Sequence, residues 1–249
     1  MDLITKSSNL KIILVEPNGP INVGSIARLC SNFQIEELRI VSPKCDINSL
    51  ETKKMALKGI KYINKCKKYE CLKDSISDCD LVVATSGRIH YPKDYKQESL
   101  ENISSWISNF KHIKNLAIIF GREDRGLTNK ELLMAHKVFT IDTDKSFPSL
   151  NLSHAVSIVL YELSRKTKIN NLNKKINFNL ASSKQIDDSF IEISELLLKA
   201  GYLMPHTLNA KVNKFKKYIY RSETSKYELD TIRGIVHQIK WALENSKKI

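Results

Sequence analysis

The chain has 249 residues, 42% hydrophobic and 27% charged, which is the composition of a folded globular protein with room for one substantial domain and a smaller one. Its 40 Lys and Arg outnumber 27 Asp and Glu for a formal charge of +13, which favours a polyanionic partner, nucleic acid ahead of membrane, although a Lys- and Asn-rich coding bias supplies part of the excess. An odd set of five cysteines without a C-x-x-C pair speaks against a disulfide framework or a zinc site, Met1–Asn9 lacks the apolar core of a signal peptide, and no apolar run nears the roughly 20 residues of a membrane span. A soluble protein of the reducing cytoplasm is expected, with no metal.

Lys11–Val15 is the first β-branched run and reads as a strand. It feeds a Pro/Gly-rich turn, Glu16-Pro-Asn-Gly-Pro-Ile-Asn22-Val-Gly24-Ser-Ile-Ala-Arg28. There Asn22 is expected to cap a helix over Val23–Phe33, Gly24 to allow a close backbone approach, and Arg28 to fall within the first two turns. Such junctions are ordinary, so on its own Arg28 carries little functional weight. A second strand is expected at Leu38–Ser42, a short helix at Asp74–Asp78, and a third strand at Leu81–Thr85, which ends in Thr85-Ser86-Gly87-Arg88. The fourth, Leu116–Gly121, runs straight into Arg122-Glu123-Asp124-Arg125-Gly126, charges between two glycines at the place where α/β folds bind ligands. The loop is neither a Walker A motif nor a G-x-G-x-x-G fingerprint, so neither a triphosphate nor a dinucleotide is indicated. A helix over Asn129–Ala135 and a strand over Val138–Asp142 follow. Pro148-Ser149-Leu150-Asn151 then opens a long helix, Asn151–Lys168, with Leu152, Val156, Val159, Leu160 and Leu163 on one side. Capping alone would account for Ser149 or Asn151, and His154 is expected to face a neighbouring element. Apolar strands alternating with helices predict an α/β fold with a mostly parallel sheet covered on both faces.

Residues 166–185 are rich in Lys, Asn and Ser and read as a linker. Beyond them, 186–249 holds two amphipathic seams, Ile186 to Ala200 and Leu229 to Leu243, which predict a small helical domain. Between the seams, Lys211, Lys214, Lys216, Lys217 and Arg221 interleave with Phe215, Tyr218 and Tyr220. Up to Arg165 the chain has 24 basic and 19 acidic residues; after it, 16 and 8. The smaller part is thus the more basic per residue, and its five cations are candidates for holding RNA phosphates.

Taken in this order, the stretches resemble the SpoU branch of the SPOUT methyltransferases, in particular the TrmJ-type tRNA methyltransferases. Asn22, Gly24 and Arg28 match its first motif, Phe120 to Thr128 its second, and Ser149 to Val156 its third. Thr85 to Arg88 matches a further element, with Gly87 where Ala is usual. The likeness covers about Leu10 to Leu163, with a weaker echo at Glu228-Leu-Asp-Thr-Ile-Arg-Gly-Ile.

The resemblance implies a methyltransferase domain over 1–165 whose sheet ends in a C-terminal trefoil knot, in a homodimer. It implies an S-adenosylmethionine pocket built from Thr85, Ser86, Gly87, Gly121, Ile141, Pro148, Ser149 and Leu150. Arg28 would act across the dimer interface on a ribose 2′-hydroxyl, oriented by Asn22, while Glu123, Ser149 and Asn151 shape the site. A guanidinium only donates hydrogen bonds, so Arg28 is read as stabilising the developing alkoxide. Position 32 of tRNA, in the anticodon loop, is the expected target. The alternatives are the same chemistry on ribosomal RNA and an inactive RNA-binding knot protein; Arg28, Asn22 and Asn151 are all present, which argues against the last.

Overall fold

The computed structural model describes residues 9–87, 98–110, 113–166 and 179–245. Arg88 and most of the expected linker lie outside the described residues.

Seven strands form one parallel sheet among the described residues: β1 (Asn9–Val15), β2 (Glu37–Val41), β3 (Lys67–Tyr69), β4 (Leu81–Thr85), β5 (Glu98–Ser99), β6 (Asn115–Phe120) and β7 (Lys137–Thr140), in the order β3-β2-β1-β6-β4-β7-β5. Side chains alternate across a strand, and in β1 both sets are apolar from Ile12 onward. Leu10, Ile12 and Leu14 join one core with Ile26 and Val156; Ile13 and Val15 join the other with Ile76, Leu127 and Leu132. Burial on both faces is why these strands read as continuous apolar runs. Register pairs Leu14 with both Ile40 and Phe120, Ala84 with Ile119 and Thr85 with Phe139, so the carboxyl ends of β1, β6, β4 and β7 lie along one edge.

Helices cover both faces: α1 (Pro20–Asn32), α2 (Leu50–Ala56), α3 (Ile60–Lys65), α5 (Ile103–Ser108) and α7 (Leu152–Lys166) pack into one core, and α4 (Leu72–Ser75) and α6 (Asn129–Leu132) into the other. α1 starts earlier than expected, with Pro20 at its first turn and Gly19 at the cap. Asn22 is therefore inside the helix rather than its N-cap, because proline favours the first helical position. Gly24 does make the expected close approach: a Cβ there would lie 2.4 Å from the Thr52 carbonyl oxygen of α2. The helix expected at Asp74–Asp78 is shorter and lies at Leu72–Ser75. Asp78 is instead held by charge: Arg39, 1% exposed, donates to its two oxygens at 2.6 and 2.8 Å, and Lys11 donates at 2.6 Å. The Arg39 hydrogen bond is the main reason that Asp78 ionises far below the usual carboxylate range.

The C-terminal part is α8 (Ser183–Lys199), α9 (Leu208–Arg221) and α10 (Lys226–Asn245), with a core of Ala181, Ile186, Phe190, Tyr220 and Leu229. The expected linker ends sooner than residue 185. Ser182 and Gln185 form a capping box at the start of α8, Leu180 bridges to Ser225, and Leu180, Ala181 and Ser183 are buried. The tract Lys211 to Arg221 lies within α9. This part docks on the sheet-bearing part: Trp106 donates to Glu223, Lys73 pairs with Asp187 at 3.6 Å, and the rings of His136 and Tyr220 meet edge-on at 5.2 Å. No helix of the described residues is long and apolar enough to cross a membrane. Cys30, Cys45, Cys66, Cys71 and Cys79 are free thiols; burial pushes Cys30 and Cys79 up to about 12.

His136 makes stability depend on pH. Val82 N–H donates to its Nδ1 at 3.1 Å, leaving the proton on a buried Nε2, and burial holds the imidazole down at about 4. The folded state therefore takes up a second imidazole proton, at Nδ1, less readily than the unfolded chain, whose histidine titrates near 6.5. Its contribution is full above 6.5 and lost as pH falls towards 4, to the extent of roughly 3 kcal/mol. Urea midpoints between pH 7 and 4 should fall accordingly, and His136→Gln should flatten that slope; an unchanged slope would remove His136 from the acid sensitivity.

Candidate active site

At the carboxyl edge of the sheet lies a cavity of about 490 Å³, within the usual range for small-molecule sites. Thr85, Ser86 and Gly87 line it after β4, Phe120 to Gly126 after β6, Ile141 after β7, and Pro148 to Leu150 with Leu152 and Ala155 at the entry to α7. All eight residues expected to contact the cofactor are thus brought to one cavity. Thr85 Oγ1 donates to Ile119 O at 3.1 Å, and the Ser86 amide donates to Phe139 O at 3.1 Å, which ties the loop after β4 to its neighbour strands. Thr143 Oγ1 fixes the Pro148 carbonyl at 3.1 Å.

The loop after β6 turns back on itself. Gly126, with φ +66, closes it through a bridge to Arg122, and a Cβ on Gly121 would lie 2.3 Å from the backbone of Gly126 and Leu127. Arg122, 8% exposed, holds the loop from below. Its guanidinium donates to Glu16 at 2.8 and 2.9 Å and to Glu131 at 2.9 Å twice, a doubly bidentate arrangement. The hydrogen bond from Arg122 lowers the Glu16 pKa. At Glu131 burial pushes the carboxyl up, but hydrogen bonds from Arg122 and Thr128 outweigh it and the net shift is downward. Sequence reading missed this clamp, because its two carboxylates come from the end of β1 and the start of α6.

So held, the loop presents Glu123 to α1. Glu123 accepts from the amides of Asn18 and Gly19 and from Asn22 Nδ2, each at 3.0 Å. Asn22 Oδ1 in turn accepts from Asn151 Nδ2 at 3.0 Å, and Asn151 Oδ1 caps α7 through Ser153 N at 2.9 Å. Glu123, Asn22 and Asn151 thus form one chain of hydrogen bonds beside the cavity. His154, expected to face a neighbouring element, is exposed instead, and its backbone amide donates to Asn151 Oδ1 at 3.4 Å.

Arg28 is not part of this chain. Six residues along α1 place it about 120° around the helix from Asn22 and about 9 Å along it. It is exposed, with no hydrogen bond or ion pair among the described residues. Within one subunit Asn22 is engaged by Glu123 and Asn151 and does not meet Arg28. The five expected RNA-binding cations are also divided. Lys211, Lys214 and Arg221 share the outer face of α9 with Tyr218, whose ring lies 5.6 Å from the Arg221 guanidinium carbon, and Lys217 flanks them. Lys216 turns inward to pair with Asp187 and lies 5.7 Å from the Phe190 ring. Among the described residues no group of three or more His, Cys, Asp or Glu could hold a metal ion.

A parallel α/β sheet with a glycine-lined cavity at its carboxyl edge, closed by loops from three strands, defines a small-ligand-binding α/β protein. The chain belongs to the SpoU rRNA methylase family, whose profile matches residues 9–161. It is 40% identical over 190 residues to the tRNA (cytidine-2′-O-)-methyltransferase TrmJ of Sulfolobus acidocaldarius, covering 76% of this chain and 77% of that one. To the protein of the same description from Methanocaldococcus jannaschii it is 34% identical over 225 residues, or 90% and 96% of the two chains. The solved structure of TrmJ from Z. mobilis ZM4 shares the fold, with a TM-score of 0.78 at 23% identity over 92% of this chain and 98% of that one. The family uses S-adenosylmethionine, and the chain is a methyltransferase of RNA.

Proposed function

We propose that this chain methylates the ribose 2′-oxygen of tRNA at position 32, in the anticodon loop. The observation that carries the reading is the meeting of Thr85–Gly87, Gly121, Ile141 and Pro148–Leu150 in one cavity beside the Asn22–Glu123–Asn151 chain. Apolar walls at Phe120, Ile141, Leu150 and Leu152 suit a purine ring. The cavity volume suits S-adenosylmethionine, which supplies an electrophilic methyl carbon. Glu123 and Asn22 hold the loops against each other, Asn151 fixes the start of α7, and the Ser149 hydroxyl has no partner among the described residues and is available to a ligand. Arg28 would donate to the 2′-oxygen, as the hydroxyl proton leaves to water and negative charge develops there, and to the neighbouring phosphate.

Arg28 does not line the cavity of its own subunit, and it is read as reaching the cavity of a partner in a homodimer. Ile21 on α1, with Ile158 and Tyr161 on α7, leaves an exposed apolar surface around it. The trefoil knot is carried over from the family resemblance; beside it stands the close approach of the segment before α7 to the end of β4, where a Cβ on Gly87 would be 3.1 Å from Pro148 O. The outer face of α9 supplies the cations that contact tRNA phosphates. The family's description also favours ribosomal RNA as a second reading. Mass-spectrometric mapping of ribose methylation in tRNA and ribosomal RNA from cells with and without the gene separates the two: loss of the mark at tRNA position 32 is expected. Loss only in ribosomal RNA selects the second reading, and loss in neither refutes both.

A further inference from the structure

Between β7 and α7 stands an aromatic side chain that neither core uses. Phe147 is 78% exposed, whereas Phe33, Phe110, Phe120, Phe139, Phe190 and Phe215 are all buried or half-buried. The turn beneath it is well tied. Asp144 Oδ1 accepts from the Ser146 amide at 2.8 Å and from its hydroxyl at 2.5 Å, and the Phe147 amide donates to Asp144 O at 3.2 Å. The next three residues, Pro148, Ser149 and Leu150, are cavity wall. Phe147 therefore directly precedes the cavity wall, its ring in solvent, on backbone anchored from both sides.

We infer that Phe147 is a stacking platform for an unpaired base of the acceptor RNA, steadying the target ribose over the cavity. The inference rests on the methyl-transfer reading above. A ribose whose 2′-oxygen enters the cavity carries its base, and those of its neighbours, to the rim within a few ångströms. Bases in an RNA loop are splayed out and offer a π-face, which an aromatic ring accepts whatever the base. Phenylalanine has no hydrogen-bonding group with which to read base identity, so its contribution is the same for any base at the target position. Hydrogen-bonding groups on the neighbouring wall, such as Ser149, are left for the ribose and the cofactor.

The test compares wild type, Phe147→Ala, Phe147→Tyr and Phe147→Trp in the full chain, with an anticodon stem-loop RNA as probe. Stacking predicts that Phe147→Ala weakens RNA binding, read by fluorescence anisotropy, by roughly tenfold, the scale of one base–aromatic stack. KM for the RNA should rise in step, while kcat and S-adenosylmethionine affinity hold, and the Tyr and Trp variants should restore both. Wild-type RNA affinity in Phe147→Ala would overturn the inference. So would a parallel loss of cofactor affinity, a changed oligomeric mass, or failure of both aromatic variants to rescue. Binding is read without turnover, so a wild type that binds RNA but transfers no methyl would refute the transfer reading separately.

Discussion

Arg28→Ala is expected to cut methyl transfer by about a thousandfold, the upper range for deleting a donor aimed at a developing oxyanion. Affinity for S-adenosylmethionine should stay within experimental error of wild type. Arg28 is exposed on α1, and none of the cavity-lining residues belongs to that helix. Stability should shift by less than about 0.5 kcal/mol, as for a surface substitution with no partner to strand. The more pointed result comes from mixing. If each site takes Arg28 from one subunit and Asn151 from the other, two inactive proteins, Arg28→Ala and Asn151→Ala, complement each other on subunit exchange. Half the dimers are then mixed and each has one intact site, so activity should recover to about a quarter of wild type for a two-fold symmetric assembly. No recovery after verified exchange would place Arg28 and Asn151 in the same subunit's chemistry, or Arg28 outside it. A fall in cofactor affinity as steep as the fall in turnover would make Arg28 a binding residue instead.

What was legible in the sequence follows from how each element is buried. Strands β1, β4, β6 and β7 stood out because parallel strands covered on both faces leave no polar alternation. Strand β3, Lys67-Lys68-Tyr69, is polar and lies at the sheet's edge, and β5 is two residues long, so neither carries that signal. Helices α2 and α3 are short, with apolar positions too few to show a period, though Ser49 accepting from Thr52 N marks the start of α2. The start of α1 was available in the sequence, since Pro20 is a better marker of a first turn than Asn22 is of a cap. The capping box at Ser182 and Gln185 was equally readable and would have shortened the linker. The cavity residues could be located because the resemblance to the SpoU methyltransferases carries them over; Ile141 and Leu150 have no signal of their own, whereas Gly121 and Gly87 at strand ends pointed to ligand-binding loops. Arg122 could not be, since its charge reads as surface until Glu16, 106 residues away, is seen beside it.

Gly121→Ala is expected to abolish cofactor binding and turnover together, unlike Arg28→Ala. The added methyl carbon would sit 2.3 Å from backbone carbon and nitrogen of Gly126 and Leu127, atoms that cannot swing aside as a side-chain tip can. Relief requires opening the Arg122–Gly126 bridge. That displaces Glu123, which accepts from two amides and Asn22, and pulls Arg122 away from Glu16 and Glu131. Breaking a largely buried, fully paired guanidinium site costs about 3 kcal/mol, so the melting temperature should fall by several degrees as well. Gly87→Ala is the matched control on the same cavity. Its methyl carbon would meet Pro148 O at 3.1 Å, a contact that a shift of a few tenths of an ångström relieves. It should weaken S-adenosylmethionine binding modestly, with the melting temperature nearly unchanged. The order of effect, Gly121 far above Gly87, is set by distance to backbone alone and is read by calorimetric titration of the cofactor together with thermal unfolding. Equal losses at the two positions would mean that cavity volume, rather than the closed loop after β6, governs the site.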